Sequence, residues 1–207
     1  MLHTELVPAA EGNSRRLMIV LHGLGDSIEG WRWLPEAINL PWLNYLLVNA
    51  PDGYYGGWSW FDLNNPAPGV LRSRKLLFQL LDDLREKNFP AEQITLLGFS
   101  QGSLMTIDVG LRYPCKLAGL VGISGWVFEL EQTVKELLPV ARQQRLLMTH
   151  GMHDPMVPIA RVRPQIPLLQ AAGLNVEWRE FPKAHTVHGE PELVLIRDFV
   201  CAGYPTA

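Results

Sequence analysis

The sequence predicts an α/β protein in which a mostly parallel central sheet carries helices on both faces. Short apolar segments alternate with amphipathic segments along the whole chain, and no linker or repeat interrupts the alternation. The apolar segments lack a polar face, which is typical of strands that helices cover on both sides. The chain has 207 residues, 47% of them apolar, which is enough for one substantial core, so we expect a single domain over residues 1–207.

Six near-continuous apolar segments are predicted to be strands, and helices fill the gaps between them. The predicted strands are residues 17–21, 45–49, 94–99, 117–123, 146–150 and 176–181. The clearest helix, residues 70–87, has a leucine stripe among charged residues and ends before Pro90. The other predicted helices are residues 101–113, 133–140, 163–172 and 191–200, the last with Pro191 at its start.

Ser100 is the strongest candidate for a catalytic residue. In sheets of this class ligands bind outside the carboxyl ends of the strands, so reactive residues should directly follow strands. In Gly98-Phe99-Ser100-Gln101-Gly102 the third predicted strand runs straight into a helix. Such a strand-to-helix turn is called a nucleophile elbow, and we call residues 98–102 the elbow and the helix that follows the serine the elbow helix. A serine on so tight a turn holds its hydroxyl above the sheet, and the flanking glycines avoid a clash. We therefore predict a nucleophile at Ser100; the plain alternative is a small residue packed at a turn.

A nucleophilic serine needs a base that takes its proton and an acid that orients this base. The aspartates between Ser100 and a later histidine are Asp108 and Asp154. Asp108 would point away from the strand ends inside the elbow helix, whereas Asp154 follows a strand, so Asp154 is the predicted acid. His185 and His188 both lie between the last strand and the last helix, and their spacing alone leaves the two nearly even as the base.

Acyl transfer also requires hydrogen-bond donors for the oxygen that becomes negative in the tetrahedral intermediate. The backbone amide of Gln101 directly follows the nucleophile and begins a helix, whose dipole favours an anion. A second donor should come from the loop after the first strand, His22-Gly23-Leu24-Gly25-Asp26. The plain alternative for this loop is a glycine-rich turn.

Five segments together resemble the phospholipase/carboxylesterase group of α/β-hydrolases, which includes bacterial carboxylesterases and acyl-protein thioesterases. They are Leu21 to Asp26, Ser59-Trp60-Phe61-Asp62, the elbow at Ser100, Gly151 through Asp154 to Val157-Pro158, and Ala184-His185-Thr186-Val187. The resemblance implies the α/β-hydrolase fold, a cofactor-free serine esterase, and Leu24 as the second oxyanion amide. It favours His185 over His188, because the family places its base in a Gly-His-x-Ile/Val setting. Members often dimerise, so a homodimer stays open.

The substrate is predicted less sharply than the chemistry. Seven aromatic residues lie within residues 41–61, and such side chains suit an acyl chain or an aromatic ester. We expect Trp58 and Trp60 to border the acyl pocket, although some of these rings should belong to the core. No long insertion separates Ser100 from Asp154, so we expect no large cap domain and an open site for short to medium acyl chains.

Composition argues against several other classes of function. A net charge of −3 with no basic stripe gives no reason to expect a nucleic-acid partner, and no apolar run approaches a membrane span. The first residues lack the regions of a secretory signal, so we expect a cytoplasmic protein. Cys115 and Cys201 are far apart, which predicts two unpaired thiols. The histidines match no zinc signature, so we expect no metal.

The sequence therefore predicts a cytoplasmic serine hydrolase that cleaves small carboxylic esters through Ser100, His185 and Asp154 and an acyl-enzyme intermediate. An acyl-protein thioesterase or a lysophospholipase is the alternative among enzymes. Outside enzymes, the alternative is a catalytically idle binding protein of the same fold.

Overall fold

A computed structural model describes residues 1–204 of the chain and contains a seven-stranded sheet and a separate two-stranded hairpin. The sheet consists of β1 (Thr4–Val7), β2 (Leu17–Leu21), β3 (Asn44–Val48), β6 (Ile94–Phe99), β7 (Gly119–Ile123), β8 (Arg145–Gly151) and β9 (Asn175–Phe181). The hairpin consists of β4 (Asp52–Tyr54) and β5 (Gly57–Ser59). The strand order is β1-β3-β2-β6-β7-β8-β9, and only β1 runs antiparallel to its neighbour.

Helices cover both faces of the sheet, as predicted. They are α1 (Leu34–Ile38), α2 (Pro66–Glu86), α3 (Gln101–Arg112), α4 (Leu130–Lys135), α5 (Ile159–Val162), α6 (Gln165–Ala171) and α7 (Glu190–Cys201), with short 3₁₀ turns between them. On the interior strand β2, Leu17, Ile19 and Leu21 face the layer of α2, α3 and α6, while Met18 and Val20 face α1 and α7. Each of these side chains is buried, and burying one such side chain contributes about 1.5–3 kcal/mol.

The predicted strands and the α/β class agree with the structure, but five short elements were not predicted and one helix was misplaced. The unpredicted elements are β1, the two hairpin strands β4 and β5, and the helices α1 and α5. Each is only three to five residues long, too short to show a clear apolar pattern. The predicted helix at residues 133–140 is wrong: α4 ends at Lys135, and a 3₁₀ turn begins at Pro139, which lacks the amide hydrogen that a helix interior needs.

The structure also bears on the predicted domain, membrane association and cysteines. The predicted domain, residues 1–207, includes three residues outside the described range. Within residues 1–204, no helix is long and apolar enough to cross a membrane. Cys115 and Cys201 are both free thiols.

Candidate active site

Ser100 lies at the turn between β6 and α3, in a backbone conformation that non-glycine residues rarely adopt. Its φ and ψ angles are 54° and −115°. A Cβ atom on Gly98 would lie 2.1 Å from the carbonyl oxygen of Gly102, and one on Gly102 would lie 2.0 Å from that of Leu21. The turn therefore requires glycine at both positions. The Ser100 amide donates a hydrogen bond to Ile123 O in β7 at 2.9 Å, which fixes the turn to the sheet.

Asp154 and His185 are joined by a short hydrogen bond. The distance from His185 Nδ1 to Asp154 Oδ2 is 2.7 Å, and the aspartate side chain is fully buried. The second oxygen, Oδ1, accepts hydrogen bonds from the amides of Met156 and Val157 at 2.9 and 2.8 Å. Three donors thus fix the carboxylate, and the carboxylate in turn fixes the imidazole ring.

Parallel pairing of β8 with β9 brings these two residues together from distant parts of the sequence. The strands end side by side at Gly151 and Phe181. Beyond their ends, the amide of Met152 donates to Phe181 O at 2.9 Å, and the amide of His153 donates to Lys183 O at 3.1 Å. These two backbone hydrogen bonds hold the loop that carries Asp154 against the loop that carries His185.

The alternatives to Asp154 and His185 occupy other environments. Asp108 lies within α3, where the guanidinium groups of Arg74 and Arg112 both bind its carboxylate at 2.6 Å. His188 packs its ring against Phe181 at 5.2 Å between centroids. The geometry therefore separates two histidines that their spacing in the sequence could not.

One cavity of about 480 Å³ contains Ser100 and His185 on its wall. Its apolar lining comprises Leu24, Phe61, Leu63, Pro66, Phe99, Trp126, Phe128, Met156 and Val157. Asp26 and Arg161 are the other ionisable residues among the described residues of the lining. Among the described residues, Ser100 Oγ makes no hydrogen bond to His185. In enzyme structures without a substrate, the distance between two catalytic groups is often too long for a hydrogen bond and shortens when the substrate binds.

The structure does not place the predicted pocket residues Trp58 and Trp60 on this cavity. Trp60 is fully buried in the core, and its indole N–H donates to His22 O at 2.9 Å. Trp58 lies in β5, where its backbone exchanges hydrogen bonds of 2.9 Å with Gly25 and Asp26. Both tryptophans thus support the loop after β2, and the aromatic wall instead comes from Phe61, Phe99, Trp126 and Phe128.

Leu24 and Gln101, whose backbone amides are the predicted oxyanion donors, both line the cavity that contains Ser100. Neither amide donates a hydrogen bond to a residue that the structure describes. His22 fixes the loop that carries Leu24: its Nε2 accepts from the amide of Ala50 at 3.1 Å, so Nδ1 carries the hydrogen and donates to Gly23 O at 2.6 Å. Burial lowers the pKa of His22, which favours this neutral form.

Two supporting side chains were not assigned a supporting role from the sequence. The buried Gln101 amide group accepts from Trp60 N at 3.0 Å and donates to Phe61 O at 2.9 Å, which ties the elbow to the loop after β5. The ring of Phe99 packs 4.8 Å from the His185 ring between centroids. Phe99 and Gln101 are the two residues between the glycines and the serine of the elbow. The motif does not specify these side chains, so their contacts with the site become visible only in the structure.

His150 is a buried neighbour of the pair but has a different partner. Its Nε2 donates to Val157 O at 2.8 Å and lies 3.7 Å from Asp154 Oδ2, and burial lowers its pKa. Within the described residues, no group of three or more His, Cys, Asp or Glu side chains is arranged to hold a metal ion.

Comparisons with known proteins identify the family. The sequence pattern of the Phospholipase/Carboxylesterase family matches residues 2–201. Acyl-protein thioesterase 1 of Gibberella zeae is 29% identical over 84% of both chains, and that of Schizosaccharomyces pombe is 32% identical over 68% of this chain and 69% of its own. The crystal structure of esterase PE8 superposes with a TM-score of 0.88 at 25% identity, covering 98% of this chain and 99% of its own. The chain is therefore an enzyme, a hydrolase that belongs to the phospholipase/carboxylesterase family of α/β-hydrolases.

Proposed function

We propose that the protein is a serine esterase in which Ser100, His185 and Asp154 form the catalytic triad. The observation that carries this proposal is the 2.7 Å hydrogen bond from His185 to the buried carboxylate of Asp154. His185 lines the same cavity as Ser100, which lies at a strained turn. Strained backbone of this kind is concentrated at functional sites. A binding protein would have no physical need for all three residues together.

In the proposed reaction Ser100 Oγ attacks the ester carbonyl while His185 Nε2 accepts its proton. The carbonyl oxygen becomes negative, and the free amides of Leu24 and Gln101 donate hydrogen bonds to it. His185 then protonates the leaving alcohol, which leaves an acyl group on Ser100. Water, deprotonated by the same histidine, releases the acid and restores the serine.

Asp154 orients the imidazole and stabilises the imidazolium that forms in both steps. Its two oxygens support this role, because Oδ1 is occupied by two backbone amides and only Oδ2 faces His185. The aspartate therefore cannot rotate away without breaking two further hydrogen bonds.

The substrates that we propose are carboxylic esters with short to medium acyl chains. A largely apolar cavity of about 480 Å³ lies within the size range of small-ligand sites and supports this class. A thioesterase is the second candidate, because two of the similar proteins are named acyl-protein thioesterase 1. A lysophospholipase would need room for a longer chain. A cytoplasmic location and a homodimer stay predictions from the sequence.

The test is hydrolysis of p-nitrophenyl esters with acyl chains from two to twelve carbons, together with the matching acyl thioesters. We expect turnover by the wild type and its loss in Ser100→Ala, while Ser14→Ala, a serine outside the cavity, should retain it. The preferred chain and the ester-to-thioester ratio separate the two candidate functions. Equal turnover by wild type and Ser100→Ala would disprove the proposed nucleophile.

A further inference from the structure

We propose that the cavity accepts acyl chains that end in a carboxylate, such as monoesters of dicarboxylic acids, and that Arg161 binds this terminal group. The inference rests on the proposed esterase function and narrows its substrate class. It comes from the charge of the cavity, which contains one arginine in an otherwise largely apolar lining.

Arg161 has no acidic partner among the residues that the structure describes. Its guanidinium carbon lies 5.3 Å from the centroid of the Trp126 ring, and its backbone amide donates to Pro158 O. Arg163, two residues later, differs: its guanidinium forms two hydrogen bonds of 2.8 Å to Glu180. Of these two arginines, Arg161 lines the cavity, and its guanidinium is the one with no acidic partner among the described residues.

The other ionisable groups of the lining already have partners. Asp26 accepts hydrogen bonds from Ser27 N at 2.7 Å and from the Trp31 indole at 3.1 Å. His185 is bonded to Asp154. A substrate anion in this cavity would therefore meet Arg161 as its ionic partner, with no described carboxylate bound to the same guanidinium.

Trp126 connects the charge to the apolar part of the cavity. Its ring lies under the guanidinium and also packs edge-on against Phe61, at 6.3 Å between centroids. Methylene groups suit these aromatic faces, whereas the planar guanidinium suits a carboxylate, which it can bind through two parallel hydrogen bonds. An acyl chain with an apolar middle and an anionic end satisfies both.

The test compares p-nitrophenyl hexanoate with p-nitrophenyl hydrogen adipate, two six-carbon acyl esters that differ in the terminal group. The measured quantity is the adipate-to-hexanoate ratio of kcat/KM in wild type, Arg161→Gln and Arg161→Glu. We expect Arg161→Gln to lower this ratio about three- to fivefold, the effect of losing one exposed ionic hydrogen bond. Arg161→Glu should lower it further, and added salt should lower it in the wild type.

Arg15→Gln is the matched control, since it removes the same charge from an exposed site outside the cavity and should leave the ratio unchanged. A ratio that stays within twofold in both Arg161 variants would overturn the inference while Ser100-dependent hexanoate turnover upholds the esterase. An Arg161 effect confined to 4-carboxyphenyl hexanoate, whose charge is on the leaving group, would also overturn it. Absence of Ser100-dependent turnover of either ester would instead disprove the proposed function.

Discussion

Lys183, in the loop that carries His185, forms a buried ion pair with Glu192 at the start of α7. The Nζ atom lies 2.6 and 2.8 Å from the two carboxylate oxygens, and the side chains are 1% and 0% exposed. Glu192 Oε2 also accepts the amide of His188 at 2.6 Å, and Lys183 O accepts the amide of His153. The pair thus ties the start of α7 to both loops of the site.

Lys183→Met should therefore destabilise the protein strongly. Burial lowers the pKa of the lysine because its ammonium loses water, and the charge of Glu192 opposes this effect. Removal of the lysine leaves a buried carboxylate whose charge has lost its counterion. Breaking such a pair costs about 3–5 kcal/mol, a fifth or more of the stability of a typical domain.

The double variant Lys183→Met/Glu192→Gln should recover most of this loss. The glutamine oxygen can still accept the amide of His188, and no isolated charge remains in the core. Replacing a buried pair by hydrophobic residues of similar volume is often close to neutral in stability, and here the glutamine NH2 group adds the cost of one unpaired polar group. We expect the double variant to lie within about 2 kcal/mol of the wild type.

Urea unfolding at pH 7, followed by the fluorescence of the seven tryptophans, measures these free energies. Lys135→Met, which removes an exposed lysine from α4, is the control and should change stability by less than about 0.5 kcal/mol. The reasoning is refuted if Lys183→Met costs less than 1 kcal/mol, or if the double variant is as unstable as the single one.

Three further predictions concern the core and the elbow. Asp108→Ala should lower the unfolding free energy by about 3–5 kcal/mol, because it leaves Arg74 and Arg112 without their shared buried carboxylate; urea unfolding measures this loss. His150→Gln should flatten the pH dependence of stability below pH 6.5, because burial lowers the pKa of His150 in the folded state. As the pH falls below 6.5, this histidine takes up a proton in the unfolded wild type but stays neutral in the folded state. The wild type therefore loses up to about 1.4 kcal/mol of stability per pH unit. Gly98→Ala should yield little soluble protein, because its methyl group would overlap a backbone carbonyl at 2.1 Å; recovery of folded, active protein would contradict this.

The sequence was informative where function and fold depend on local pattern. The strands β2 and β6 are predicted with their observed ends, because a strand buried on both faces is apolar at nearly every position. Ser100 follows from its glycines, and the structure shows the reason in the contacts that a Cβ atom would make there. Features that depend on a few neighbouring residues can therefore be predicted without knowledge of the fold.

The substrate cavity could not be predicted in the same way. Its wall combines Phe61, Trp126 and the segment 156–161, three distant parts of the sequence that meet only through the order of the strands. The local density of aromatics favoured Trp58 and Trp60 instead, but those rings support the loop after β2. Aromatic content in one segment indicates buried area and does not say which cavity that area borders.

The three buried or half-buried histidines near the site show why the proposed base has to be assigned from partner atoms. His22 donates to one carbonyl and His150 to another, and a neutral imidazole satisfies both contacts. His185 alone of the three donates to a carboxylate at hydrogen-bonding distance, a partner that stabilises the charged ring. A base must hold a proton between two steps of the reaction, so the carboxylate is the feature that distinguishes it. Asp154→Asn would keep its oxygen on the amides of Met156 and Val157 and turn its NH2 group toward His185. The imidazole would then hold the wrong tautomer, and we expect a fall in kcat of about 10⁴ with the fold intact.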